Sequence, residues 1–531
     1  MDKDSSIKIQ LPQQNLVQFT HFKLDGEAAR DWAQQLPVAN ARAVAAQLQS
    51  ALDDLNHSEM APELRYAILE ALSDSVQVTL ANLTKRFLHQ PLVMPEEPKQ
   101  LAELTDNLYT QLITAYSLLA VQIVNDPERI REHNPARLVC EAIESGIEYT
   151  GRSILLSFQL YRPIALGSWL TLHQLYALAE RQGLATLPVT GSNGQATTVT
   201  GTYLSSLILG CIKPNQLRQS DMVAVHAALE QWHDKLQIGS QDAIDGLFLV
   251  DLDSDQAPLY SELYGKQGST QCRLVRTQEL VNYLQELQEL DDAKGKPGVK
   301  LEQGLSLPSN MLSHLIDCLG SMSMRNFSRV RSEVSLALSI GLGAAHFHAA
   351  GERDFDHLIH GDDSVAHSDE RHESNVFMRP DSSPQDPWRK ANPEEDFVRD
   401  ETASGAEAEF THNIELDEQS LRAITEEEED QPQTRRYPVY HVKSINASPG
   451  GYCIEWGDDL PDDVRAGAVA SVQEERSASW SIAVIRWISR LQNARTLIGL
   501  ELLSPQAVAY GALIHSKKGQ EADPQRVLLL P

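Results

Sequence analysis

The pentapeptide Arg325-Asn326-Phe327-Ser328-Arg329 stands just ahead of a stretch in which Val334, Leu336, Leu338, Ile340 and Leu342 alternate with Ser335, Ala337, Ser339, Gly341 and Gly343. Apolar residues at every second position predict a β-strand with one buried face. A second short pattern, Asn446-Ala447-Ser448-Pro449-Gly450-Gly451, lies far downstream among strand-like runs at 439–445, 451–456, 467–472, 480–488 and 497–503. Turns such as Gly457-Asp458-Asp459-Leu460-Pro461 separate these runs. Many short strands at even spacing predict a small antiparallel barrel. The strand after Arg329 is its opening member, so the barrel is split between 320–350 and 436–515.

The intervening segment, 351–434, holds 25 Asp/Glu against 7 Lys/Arg and ends in Glu426-Glu427-Glu428-Glu429-Asp430. It has few large apolar residues with which to offset chain entropy, which predicts a disordered acidic insertion.

Upstream, residues 1–25 read as a tail. From 26 to 184 the pattern is helical: Ala41, Val44, Leu48, Leu52 and Leu55 recur at spacings of three and four, as do Leu101, Leu104, Leu108, Leu112 and Tyr116. Asn134-Pro135 and Arg162-Pro163 punctuate the helices, because proline disfavours the helical state in the residue before it. A turn-rich boundary at 185–195 leads to a mixed α/β region, 196–315. Strands are expected there at 246–251 and 272–276, and helices at 279–287 and 310–319. The fold class is α+β multidomain: an N-terminal helical bundle, a mixed middle region and a C-terminal small antiparallel β-barrel.

Composition limits the function. A net charge of −29 and a pI near 4.9 argue against a DNA or RNA binder and against adhesion to an anionic membrane. Apolar runs are too short to span a bilayer, so membrane insertion is not expected. The five cysteines (Cys140, Cys211, Cys272, Cys318, Cys453) are scattered and form no CxxC pair. That fits a reducing cytoplasm and leaves no zinc ribbon or disulfide framework.

The chemistry sits in the two short patterns. Arg325 and Arg329 offer two planar guanidinium forks four residues apart, with Arg331 as a further candidate. Arginine pairs bidentately with phosphate oxygens or a guanine edge and stacks on purine planes, three roles that lysine cannot combine. Asn446 and Ser448 add short polar side chains, and Gly451 removes a Cβ so that backbone can be approached closely.

An RxxxR stretch before the first strand, followed by [DN]xSxxG, resembles the PilZ domain, the bacterial receptor module for cyclic di-GMP. The runs Trp480-Ser481-Ile482-Ala483-Val484-Ile485-Arg486-Trp487 and Leu497-Ile498-Gly499-Leu500-Glu501-Leu502-Leu503 look like that family's later strands. The chain departs from the family in its gap, since 116 residues separate Arg329 from Asn446. The resemblance implies a ligand-binding set of Arg325, Arg329, Asn446, Ser448 and Gly451, with cyclic di-GMP as ligand and no cofactor. It further implies a non-catalytic bacterial signalling protein of the cytoplasm, its N-terminal region acting on a protein partner. The alternative is a helical scaffold carrying a degenerate barrel.

Other patterns are set aside. His346, His348, His357, His360, His367 and His372 lie among aspartates, but four of the six fall in the acidic segment, so no metal site is expected. Asp251, Asp253, Asp255 and Glu262 have calcium-loop spacing, yet Gln256 stands where the sharp turn needs glycine. No Walker loop, GxSxG or HExxH occurs, so no enzyme is expected.

Overall fold

The computed structural model describes residues 8–37, 40–191, 194–264, 271–294, 298–302, 304–322, 329–360, 437–457, 459–475, 479–491, 495–513 and 524–531. The chain divides into two compact units, residues 1–326 with 487–496, and residues 327–486 with 497–531.

The first unit opens with six helices: α1 Gly26–Gln34, α2 Ala41–His57, α3 Pro62–Phe87, α4 Glu96–Asn125, α5 Pro135–Gln159 and α6 Ser168–Gln182. Val44, Leu48, Leu52 and Leu55 of α2 are buried, so the spacing that predicts the helix also names its core face. On α4 the buried stripe runs through Leu101, Thr105, Leu108 and Leu112, with Leu104 half-buried beside it. Asn134 caps α5 by accepting from Ala136 N and Arg137 N, and Pro135 fills the first turn, where no N–H is needed. Arg65 of α3 is fully buried. Its Nη1 and Nη2 each donate at 2.9 Å to the carbonyls of Leu55 and Ser58, satisfying the C-terminal end of α2.

A hairpin of β1 Pro188–Thr190 and β2 Ala196–Thr198 follows, and the helices resume with α7 Val199–Ile208 and α8 Gln219–Gln231. Helix α7 packs against α5. Their contact is close because Gly151 carries no side chain; a Cβ there would stand 2.1 Å from Ser206 Oγ. The mixed region is a four-stranded antiparallel sheet of β3 Gln237–Ser240, β4 Phe248–Asp251, β5 Leu259–Tyr260 and β6 Cys272–Arg276, in the order β3-β6-β4-β5. Beyond it lie α9 Gln278–Lys294, the short pair β7 Val299–Lys300 and β8 Ser306–Leu307, and α10 Ser309–Gly320. The calcium-like aspartates are used structurally. Asp255 accepts from Gly167 N and Leu170 N at the start of α6, and Asp253 accepts from Gln174.

The second unit is built on β9 Val330–Arg331, β10 Ser335–Ile340, β11 Tyr440–Ser448, β12 Gly451–Trp456, β13 Val469–Glu474, β14 Ser481–Arg490 and β15 Thr496–Ser504. The order β10-β13-β14-β15-β12-β11 closes on itself through β10–β11 pairing, giving a six-stranded antiparallel barrel, with β9 added along β11. Leu336, Leu338, Ile454, Val472, Ile485 and Ile498 are buried in it.

Three expectations need correction here. The strand expected through Leu342 stops at Ile340; Gly341 takes φ +100 and the chain turns into α11, Leu342–Ala349. Its Ala344 and Phe347 pack with Tyr437. Residues 351–360, assigned above to the disordered insertion, contain α12, Phe355–His360. Helix α12 seats on β16 Val508–Ala512, where Ile359 occupies the space left by Gly511. Strand β16 pairs with β17 Gln525–Leu529, so ordered structure continues past the expected limit at 515. The rest of the acidic segment lies outside the described residues.

Candidate functional site

The strand that follows Arg329 and the strand that carries Asn446 and Ser448 are neighbours. β9 runs antiparallel to β11 with Arg331 opposite Asn446 and Val330 opposite Ala447, and Ser332 N donates to Ile445 O at 3.2 Å. Arg329 directly precedes β9. On the other side of β11, Asn446 pairs with Cys453 of β12. Burial pushes the Cys453 thiol up and the Arg329 guanidinium pulls it back, so Arg329 lies within electrostatic reach of the strand that pairs with Asn446. The second guanidinium, Arg325, lies outside the described residues. Arg329 and Arg331 are both exposed.

Sequence reading missed the residue that holds this corner together. Ser444, buried in β11, donates from Oγ to Ser332 O at 2.8 Å and accepts from Val334 N at 3.0 Å, while its own N donates to Val334 O. The three bonds fasten the segment between β9 and β10 to β11. A register shift between Ser444 and Asn446 leaves Ile445 as an extra residue, a bulge of the kind that re-aims neighbouring side chains. The only hint in the sequence is a serine two places before Asn446.

Gly451 has a structural role beyond its motif. Its φ is +148, and a Cβ there would lie 1.9 Å from the Leu500 carbonyl of β15. Glycine is therefore demanded by the neighbouring strand rather than by room for a ligand. Ser448 Oγ donates to Gly451 O at 3.4 Å and Leu502 N to Gly450 O at 3.0 Å, closing the β11–β12 turn. Of the five residues, the guanidiniums and the Asn446 amide remain as groups with strong recognition chemistry.

Among the described residues no group of three or more His, Cys, Asp or Glu side chains could hold a metal ion. Of the histidine cluster, His346 and His348 are used in packing, while His367 and His372 lie outside the described residues. His346 Nε2 donates to Tyr510 O, and His348 stacks on Trp480 with ring centroids 4.1 Å apart. All five cysteines are buried and unbridged. No described helix is long and apolar enough to cross a membrane.

Two family models match. That of the cyclic-di-GMP receptor FimW N-terminal domain covers residues 27–242, and that of the FimW middle PilZ domain covers residues 247–508. The cyclic-di-GMP receptor FimW of Pseudomonas aeruginosa is 31% identical over 518 residues, covering 94% of this chain and 80% of that protein. No solved structure matches the chain. The PilZ match runs through both the Arg329 and Asn446 strands, across the 116 residues between them, in accord with the barrel closure. The chain belongs to the FimW family, with a PilZ domain in its second half.

Proposed function

We propose that this chain is a cyclic di-GMP receptor whose ligand docks on the β9–β11–β12 corner. Arg329 and Arg325 supply the guanidiniums, Asn446 reads a guanine edge, and Ser448 and Gly451 hold the turn in shape. The observation that supports this reading is the β9–β11 register, which sets Arg331, two residues after Arg329, against Asn446. Two guanidiniums suit a ligand with two phosphates and two purine faces, and in a chain of net charge −29 they concentrate positive charge where it is otherwise scarce. The helical unit acts as the output module toward a protein partner, and the unbridged thiols favour a cytoplasmic setting. No catalytic step is involved.

Calorimetric titration with cyclic di-GMP tests the reading. Saturable binding by the wild type, lost in Arg325→Ala/Arg329→Ala with an unchanged melting temperature, supports it; equal heats from both proteins refute it. The second reading, a scaffold with a degenerate barrel, draws on the internal engagement of Ser448 and Gly451. It predicts no saturable heat at all.

A further inference from the structure

The first unit contains a cavity of about 380 Å³ between α5, β2, α7 and α8 that the nucleotide site does not use. Carboxylates dominate its wall: Glu144 and Glu148 one turn apart on α5, Glu230 on α8, and Glu302 from the segment between β7 and β8. Hydroxyls of Thr197, Thr202, Ser205 and Ser206 fill the gaps, with the rings of His226 and His233 beside them. No Lys or Arg, and no Phe, Tyr or Trp, is among the lining residues described.

Glu144 is the central feature. It is 3% exposed, and Thr202 Oγ1 donates to its Oε1 at 2.9 Å. Its Oε2 accepts no hydrogen bond from the described residues. Glu148 is ion-paired with Arg152 one turn along α5, and His226 faces Glu230 at 3.7 Å. The glycines of the packing bring these walls together. A Cβ on Gly201 would stand 2.3 Å from the His233 ring, as one on Gly151 would overlap Ser206. A buried carboxyl with an open acceptor needs a partner, and the wall provides acceptors in excess of donors.

We propose that this cavity is a second ligand site of the chain, taking a small organic cation that carries N–H donors, of the alkyl diamine or guanidino class. An anion is disfavoured because four carboxyl groups stand against the single guanidinium of Arg152, itself paired with Glu148. A quaternary ammonium would require the aromatic cage that the wall lacks. A metal ion finds no suitable donor group among the described residues. A cation with N–H donors satisfies the Glu144 acceptor and the hydroxyls together, with charge-assisted bonds.

The pKa of the site supports the assignment and provides a readout. Burial, and then the nearby Glu148 charge, push the Glu144 carboxyl up to about 8, so the empty site holds it protonated at neutral pH. A bound cation favours the carboxylate, and the proton must leave.

The experiment is calorimetry on the full chain at pH 7, with putrescine and agmatine as probes, in two buffers of different ionisation heat. Saturable binding with release of up to one proton is expected. Glu144→Gln should weaken binding at least tenfold and abolish the proton release. Ala196→Trp, which narrows the cavity from β2 without touching a carboxylate, should weaken it too and keeps the test open if the first variant misfolds. Choline should not bind. Absence of saturable binding up to millimolar probe overturns the proposal. So do equal affinity in Glu144→Gln, which signals only adsorption to an acidic surface, and choline binding as well as the diamine. None of these outcomes bears on cyclic di-GMP binding.

Discussion

The barrel corner and the N-terminal cavity handle charge in opposite ways. At the corner, arginines are exposed, neighbours are small and polar, and the geometry comes from strand register. In the cavity, the Glu144 and Glu148 carboxyls are buried among hydroxyls and held by close-packed helices. An exposed cation costs little to keep and gains most when a polyanionic ligand arrives, whereas a buried carboxyl shifts its proton affinity long before any ligand is present. The same contrast decides legibility. The corner is written in two short motifs with fixed spacing. The cavity draws on residues from 144 to 302 that share no motif.

The largest effect that can break the comparison is structural. Gly451→Ala places a Cβ on the Leu500 carbonyl at φ +148 and should cost on the order of 4 kcal/mol, unfolding the barrel. Chemical denaturation measures this, and a well-folded variant would show that the corner is not shaped by β15. Next, Arg65→Ala strands the Leu55 and Ser58 carbonyls and should destabilise the helical unit by about 3 kcal/mol while leaving nucleotide affinity alone.

Arg329→Ala reverses that pattern. It should cost about 1.5–3 kcal/mol of cyclic di-GMP affinity with no change in melting temperature, because an exposed side chain contributes little to the fold. Ser444→Ala should lie between the two, losing about 1 kcal/mol of barrel stability together with several-fold affinity as the β9–β10 segment loosens.

The smallest effect is a pH slope. Glu144 has a folded pKa of about 8, above its unfolded value, so the folded state holds the extra proton between roughly pH 4.5 and 8. Its contribution to stability is complete below the unfolded pKa and is lost as pH rises through 8. His173 and His226, pushed by burial down to about 4, act in the opposite sense. Their contribution is present above the usual histidine value and lost as pH falls toward 4. Glu144→Gln should therefore remove the alkaline loss alone and make the variant the more stable protein above pH 8. Denaturation midpoints at pH 6, 7, 8 and 9 on both proteins check this; parallel curves would contradict it.

Much of the barrel was legible because period-two alternation survives in single strands. The run expected at 451–456 is β12, that at 497–503 falls inside β15, and that at 480–488 overlaps β14 from Ser481 on. The α2 stripe was equally plain. What escaped depends on contacts between distant residues. The turn at Gly341 into α11 breaks an alternation that nominally continues, since Leu342 has the right character for a strand but not the right backbone. Helix α12 hides in an acidic context and is fixed by Ile359 reaching the space at Gly511. The Asn446, Ser448 and Gly451 pattern falls on the β11–β12 turn beside β9, yet Gly451 answers to Leu500, which no local reading reveals. Ser444, which fastens the linker, has no motif of its own.

The central claim is that motifs 116 residues apart form one nucleotide-binding corner, and a double-mutant cycle tests it most directly. Cyclic di-GMP affinities of the wild type, Arg329→Ala, Asn446→Ala and the double variant should show tight wild-type binding and losses in each single variant. The double variant should lose less than their sum, by about 1 kcal/mol, because one ligand bridges both side chains. Wild-type affinity in both single variants, or no saturable binding by the wild type, would contradict the account.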